Sequence, residues 1–235
     1  MVDLAKPATV RAFTQAWPAD RPLHLLVNNA GIMACPLTRV GPGWEAQLAV
    51  NHLGHTALTI GLLPALRRTE GARVVALSSV AHRLASVDLD DLHFERRPYD
   101  KWKAYGQSKS ANALMTLALD TRFAGDGLTA NAVHPGGIIT GLQQHLPVEE
   151  QRRLGFLEED GSPSARFKTV AQGASTTAWA ATAPELAGVG GRYLEDCREA
   201  CRRSPAIAID YAAHIMDREL ADRLWVASER LLADA

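Results

Sequence analysis

The sequence predicts an α/β fold in which a parallel sheet carries helices on both faces. Three observations predict it. Short apolar runs of strand composition recur along the chain, longer stretches with helical spacing separate them, and no linker, repeat or low-complexity tract divides the whole. In chain order, residues 6–17 read as a helix, with Pro7 suited to a first turn, where its missing N–H would have no partner anyway. Residues 23–27 (LHLLV) are a short buried strand. Residues 43–66 form a long helix and 73–77 (RVVAL) a second strand. A second long helix over 102–123 is stopped by Gly125 and Gly127. A third strand follows at 128–133 (LTANAV), a small-residue helix at 169–182, a fourth short strand at 191–194 (GRYL) and a closing amphipathic helix at 220–232. Two polar, mixed segments, 81–101 and 139–168, fit neither element type. Both follow strand ends, the rim where open α/β sheets bind ligands.

Composition bounds the function. At 235 residues, 47% hydrophobic and 22% charged, the chain suits one soluble globular domain with a real core. With 25 Lys+Arg against 26 Asp+Glu, a net charge of -1 argues against a nucleic-acid binder. Three cysteines are too few for a disulfide scaffold, and free thiols suit a reducing, cytoplasmic setting. Cys197 and Cys201 lie four apart, but no second pair completes a metal pattern, so no metal site is expected. The first six residues hold no apolar stretch of the kind a leader needs. The longest uncharged run, 46–66, contains Gln47, Asn51, His52, His55 and Pro64, so a buried helix of a soluble protein explains it better than a membrane span.

The residues that carry chemistry cluster at strand ends and on the two long helices. Tyr105 and Lys109 stand four apart on one helical face. A phenol near its usual pKa of ~10 is a poor acid-base catalyst, and an ammonium within ~4–6 Å would favour the phenolate. The expectation is therefore that Lys109 lowers the pKa of Tyr105 into the range where general acid-base catalysis works. The strand RVVAL ends in Ser78-Ser79, placing a hydroxyl at the crevice, able to hold a carbonyl oxygen near the phenol. The first strand runs into Asn28, Asn29, Ala30 and Gly31, a turn that allows close approach of a ligand. Asn51 is a polar residue inside an apolar helix, where Asn needs a partner. His134, Pro135, Gly136 and Gly137 open another rim loop.

Taken together, NNAG at 28–31, NHLG at 51–54, SS at 78–79, YGQSK at 105–109 and HPGG at 134–137 make the sequence resemble the short-chain dehydrogenase/reductase family. The motifs fall in family order, and the spacing is similar to the branch of retinol dehydrogenases and the WW-domain oxidoreductase. The resemblance implies a Rossmann-type doubly wound sheet and an NAD(P)-dependent oxidoreductase that interconverts a carbonyl and an alcohol by hydride transfer. Tyr105 would be the acid/base, Ser79 would orient the substrate oxygen, Lys109 would bind the nicotinamide ribose, and Asn51 would hold a relay water. Cofactor contacts are implied for Asp3, Asn28, Ala30, Gly31, Tyr105, Lys109, Pro135, Gly136, Gly137 and Thr140. The cofactor is NAD or NADP, with NADP favoured by the branch. The substrate is a small carbonyl or alcohol, and Leu84, Leu142, Leu146, Leu154 and Phe156 in the two rim segments hint that it is hydrophobic. By analogy with the family, a homodimer would form through the helices bearing Asn51 and Tyr105.

One departure stands out. The family opens with a strand, a glycine-rich turn and a phosphate-binding helix, and no such element is found here. Residues 1–4 are similar to the end of the family's third strand, with Asp3 at its adenine contact. The expectation is a single, N-terminally incomplete domain over 1–235 that lacks the first two βα units and most of strand three, roughly 60 residues at ~30 per unit. It would bind cofactor weakly and expose strand LHLLV as an apolar edge. An inactive fragment or interaction protein that keeps the fold's C-terminal part is the competing reading, and an epimerase or dehydratase with the same Tyr/Lys pair is a third.

Overall fold

A computed structural model describes residues 1–201 and 211–235. Five strands make one sheet in the order β1 (Leu25–Asn28), β4 (Arg73–Leu77), β5 (Thr129–His134), β6 (Tyr193–Glu195) and β7 (Arg198–Glu199). The first four are parallel; β7 returns antiparallel through a tight turn in which Asp196 and Cys197 take positive φ. A two-stranded ribbon, β2 (Arg39–Val40) against β3 (Trp44–Glu45), lies apart.

The helices are α1 (Pro7–Gln15), α2 (Ala46–Leu48), α3 (Gly54–Arg67), α4 (Lys101–Phe123), α5 (Val148–Arg153), α6 (Val170–Thr182) and α7 (Arg218–Ala233). Successive side chains of a strand point to opposite faces. Val74 and Ala76 of β4 therefore meet Leu62 and Leu66 of α3, Leu114 of α4, and Leu224 and Trp225 of α7. Val75, with Val133 and Leu194, meets Ala180 of α6 and Leu186 on the other face. The doubly wound parallel sheet expected from sequence is present. β1 is its edge, and Leu25 and Val27 are exposed there.

Two expectations are corrected. The long helix read over 43–66 starts at Ala46, where the Glu45 carboxylate accepts from Gln47 N at 3.0 Å and Leu48 N at 2.7 Å, and it widens into a π-helical turn over Ala49–Leu53. Residues 1–4 form no strand; the Asp3 carboxylate accepts from Ala5 N at 3.0 Å and pairs with Lys6 at 3.2 Å. Ala104 to Leu119 of α4 are all buried within the single chain, and α7 packs over α4. Among the described residues no helix is long and apolar enough to cross a membrane.

Three buried histidines tie this core together in neutral form. His52 bonds Ser228 of α7 at 2.9 Å, and burial pushes its pKa down to about 3. Burial lowers His55 and His82 to about 4. In the unfolded chain each titrates near ~6.5, so between about pH 6.5 and 4 the unfolded state binds more protons and is favoured as pH falls. The thermal midpoint should fall steadily from pH 7 to pH 5, and His52→Gln should flatten the slope. A midpoint independent of pH over that range would contradict the assignment.

Candidate active site

The carboxyl ends of β1, β4 and β5 open into a cavity of about 1280 Å³. Its walls include Ala30, Gly31, Ser78, Ser79, Tyr105, Lys109, Pro135, Gly136, Gly137 and Thr140, together with Asn29 and His134. Two of these residues come from α4. Its N-cap Asp100 accepts from Trp102 N and Lys103 N, which fixes the first turn and sets Tyr105 and Lys109 one turn apart behind it. Gly106 lets the turn after Ser79 press against the helix, since a Cβ there would stand 2.6 Å from the Ala81 carbonyl oxygen.

Ser79 caps the short 3-10 turn Val80–Leu84, its hydroxyl accepting from Ala81 N at 3.2 Å and hydrogen-bonded to the Tyr105 phenol. Ser78 points away from the rim and donates to the Lys109 carbonyl at 2.8 Å. Lys109 is buried, and its Nζ donates to the Leu77 carbonyl at 3.0 Å while lying 5.7 Å from the Tyr105 ring centroid. Burial lowers its pKa to about 8.

The expected effect of Lys109 on Tyr105 is not what the structure holds. Burial pushes the phenol up to about 12, opposed by the hydrogen bond to Ser79. The ammonium is aimed at a strand-end carbonyl rather than at the phenol oxygen, so desolvation decides the direction. Asn51 is also placed differently. Its carboxamide accepts from Ile32 N at 2.8 Å and donates to Ile32 O and Ser108 Oγ, both at 2.9 Å, while its main-chain oxygen receives His55 Nδ1 at 2.9 Å. It clamps the loop after β1 instead of facing the cavity. Gln47, one turn earlier, bonds Ala34 N at 2.8 Å and holds that residue at positive φ.

Asn28 turns into the core, where its Nδ2 donates to Thr59 at 3.0 Å, and Asp3 lies outside the cavity wall. Gly31 is open for a reason: a Cβ would stand 2.9 Å from Asn51 Oδ1 and 3.6 Å from Lys109 Nζ. Thr140 caps the turn Gly141–His145, and its backbone N–H donates to Gln143.

The segment 141–168 forms a flap over the cavity. Lys168 N donates to the Gly137 carbonyl at 2.8 Å, Lys101 pairs with Glu150 of α5 at 2.6 Å, and Phe156 packs edge-on to Phe167 with ring centroids 5.2 Å apart. Leu84, Leu142, Leu154 and Phe156 line the cavity as expected, joined by Met33, Trp102, Phe167 and Val170, which the sequence did not flag. Leu146 sits behind the wall with Met33 and Tyr105. Sequence reasoning also passed over His82 and Tyr193, which lie directly behind Ser79. Their only signal was a His and a Tyr beside apolar strand ends.

Two outcomes test this geometry. Gly106→Ala should cost about 1–3 kcal/mol in urea unfolding, since a methyl forced against a backbone carbonyl cannot be accommodated cheaply. Ultraviolet titration of the free protein and of Tyr105→Phe should coincide up to about pH 10, because a phenol raised above its usual value stays protonated there. A difference between the two curves near neutral pH would contradict the burial argument.

The short chain dehydrogenase family profile matches residues 1–151. A probable oxidoreductase of Streptomyces antibioticus is 49% identical over 231 residues, covering 95% of this chain and 76% of the relative. The polyprenol dehydrogenase of Mus musculus is 43% identical, covering 98% of this chain and 66% of its own length. A crystal structure of an uncharacterised Mycobacterium paratuberculosis protein superposes with a TM-score of 0.68 at 32% identity, covering 99% of this chain and 74% of that one. The parallel sheet, the cavity at its carboxyl edge and these matches agree: the chain belongs to the short chain dehydrogenase family of oxidoreductases.

Proposed function

We propose that the protein interconverts an apolar carbonyl compound and its alcohol, using a nicotinamide cofactor, with Tyr105 as the proton donor and acceptor. The observation that carries this reading is the meeting of the Tyr105 phenol with the Ser79 hydroxyl in a cavity whose remaining walls are largely apolar. The phenol and hydroxyl converge where a substrate oxygen can take a hydrogen bond from each. The large apolar walls favour a hydrophobic body beyond that oxygen. Relatives named polyprenol dehydrogenase and retinol dehydrogenase 14, at 43% and 38% identity, support the same substrate class.

The residues present fit the ring-and-ribose half of a nicotinamide cofactor. Gly31 leaves open the space beside Lys109, and Pro135 to Gly137 border the same cavity. Ala30, Gly31, Tyr105, Lys109, Pro135, Gly136, Gly137 and Thr140 would hold that group. When bound, it supplies or accepts the hydride, and the protein supplies orientation and proton transfer. NADP is the first choice by family branch, and NAD the alternative.

Within that frame the chain's own groups divide the work. Tyr105, kept protonated by burial, donates to the carbonyl oxygen in the reducing direction. Ser79 fixes that oxygen. Lys109 stays beside the phenol at the Leu77 carbonyl, its ammonium stabilising negative charge that develops on the phenol oxygen as the proton leaves. The flap 141–168 adds Leu142, Leu154, Phe156 and Phe167 to the apolar walls.

The test is a spectrophotometric assay of NADPH and NADH oxidation with long-chain and cyclic apolar aldehydes. Turnover is expected, and Tyr105→Phe should lower it by about 10²–10⁴-fold. Absence of turnover with either nucleotide, or full activity in Tyr105→Phe, would overturn the proposal.

A further inference from the structure

Behind Ser79 lies a pair of neutral, fully buried side chains that the reaction does not itself use. His82 is 0% exposed and Tyr193 is 2% exposed. His82 Nε2 accepts from Ala212 N at 3.0 Å. That leaves Nδ1 to carry the ring proton, a tautomer assigned from the hydrogen-bond network. Nδ1 then donates to the Ser79 carbonyl oxygen at 2.6 Å. The Tyr193 hydroxyl, reaching across from β6, donates to the same oxygen at 3.2 Å and lies 3.1 Å from His82 Nδ1. The two rings meet edge-on with centroids 5.0 Å apart. A third tie comes from α4, where Ser110 Oγ contacts the His82 and Ala85 carbonyls at 3.1 and 2.7 Å and His214 Nε2 at 3.0 Å.

We propose that His82 and Tyr193 are positioning residues, which lock the Ser79 carbonyl and so fix the angle at which the Ser79 hydroxyl meets Tyr105 and the substrate oxygen. The Ser79 carbonyl oxygen is the focus of three contacts: the His82 backbone N–H at 3.0 Å closes the turn, and the His82 ring and the Tyr193 hydroxyl add side-chain donors from two different elements. Rotation of the Ser79 peptide is thereby resisted from the strand side and from the turn side. Burying two polar side chains is costly unless their bonds are made, and here the bonds converge on Ser79, which lines the cavity. The holding pair stays uncharged across neutral pH, since burial keeps His82 at about 4 and raises the Tyr193 phenol. The inference rests on the role of Ser79 proposed above.

Two isosteres separate the two bonds of the ring. His82→Asn keeps a donor near the Nδ1 position and loses the acceptor toward Ala212. His82→Gln keeps reach toward Ala212 and loses the donor to Ser79. Tyr193→Phe removes only the hydroxyl. With NADPH and an apolar aldehyde, kcat should fall about tenfold in Tyr193→Phe and in His82→Gln, the size of one neutral hydrogen bond, and stay within about threefold in His82→Asn. The fluorescence-measured dissociation constant for NADPH should remain within about twofold in all three. Equal kcat losses in the two His82 variants, tracking equal losses of thermal midpoint, would overturn the proposal. A second measurement does not need turnover: hydrogen exchange at the Ala81 amide, which bonds Ser79 Oγ, should quicken in Tyr193→Phe and His82→Gln but not in His82→Asn. If the unaltered protein and Tyr105→Phe are equally inactive, the functional reading fails and exchange alone decides; an unchanged exchange rate then rejects the positioning role.

Discussion

A polar side chain buried without partners is costly, and that constraint shapes the whole site. Helix α4 buries Gln107, Ser108, Lys109, Ser110 and Asn112 along with its apolar residues. None of them finds a partner in water, so they reach outward to the loops. Gln107 donates to the Leu92 carbonyl, Ser110 to Ala85, and Lys109 and Asn112 both to Leu77, while Ser108 receives Asn51. The rim segments that surround the cavity are thus held by the same helix that supplies the phenol. Removing Gln107 would leave the Leu92 carbonyl without this donor, whereas the Leu77 carbonyl is held twice, by Lys109 and by Asn112.

The electrostatics follow from the same burial. Tyr105 is pushed up and Lys109 down, and in both cases desolvation is the largest cause. Each group is biased toward its uncharged form, so a low-dielectric site keeps a neutral acid beside a lysine that ionises readily near pH 8. Charge that develops on a substrate oxygen there would meet little competing solvent.

Much of this was legible in the sequence, for identifiable reasons. Strand β4 was read over its full length because an unbroken apolar run buried on both faces has no competing period. Tyr105, Ser79 and Lys109 were singled out by helical spacing, strand-end placement and the family resemblance, and the fold brings all three to one cavity. The π-helical turn at Ala49–Leu53 was not legible, since it depends on the distant clamp of Asn51 on Ile32. The fate of Asn28 was missed because turn chemistry suited it equally well, and only the position of Thr59 draws its side chain inward. The direction of the Tyr105 shift was misjudged because helical spacing sets proximity but not aim. Lys109 finds a closer partner in the Leu77 carbonyl.

The flap over the cavity is fastened unequally along its length. Its return end is stitched to the backbone after β5, with Lys168 bonded to Gly137 and ion-paired with Asp196. Its middle is tied by the Lys101–Glu150 pair, in which the lysine is still about a third exposed (30%), and by Leu146 and Phe156 packing with Met33 and Tyr105. The return end and the middle of the flap are therefore held by different forces, backbone hydrogen bonds at one and a partly wet ion pair with apolar packing at the other. Added salt would screen the ion pair while leaving the backbone bonds untouched, so ionic strength would loosen the middle of the flap before its return end.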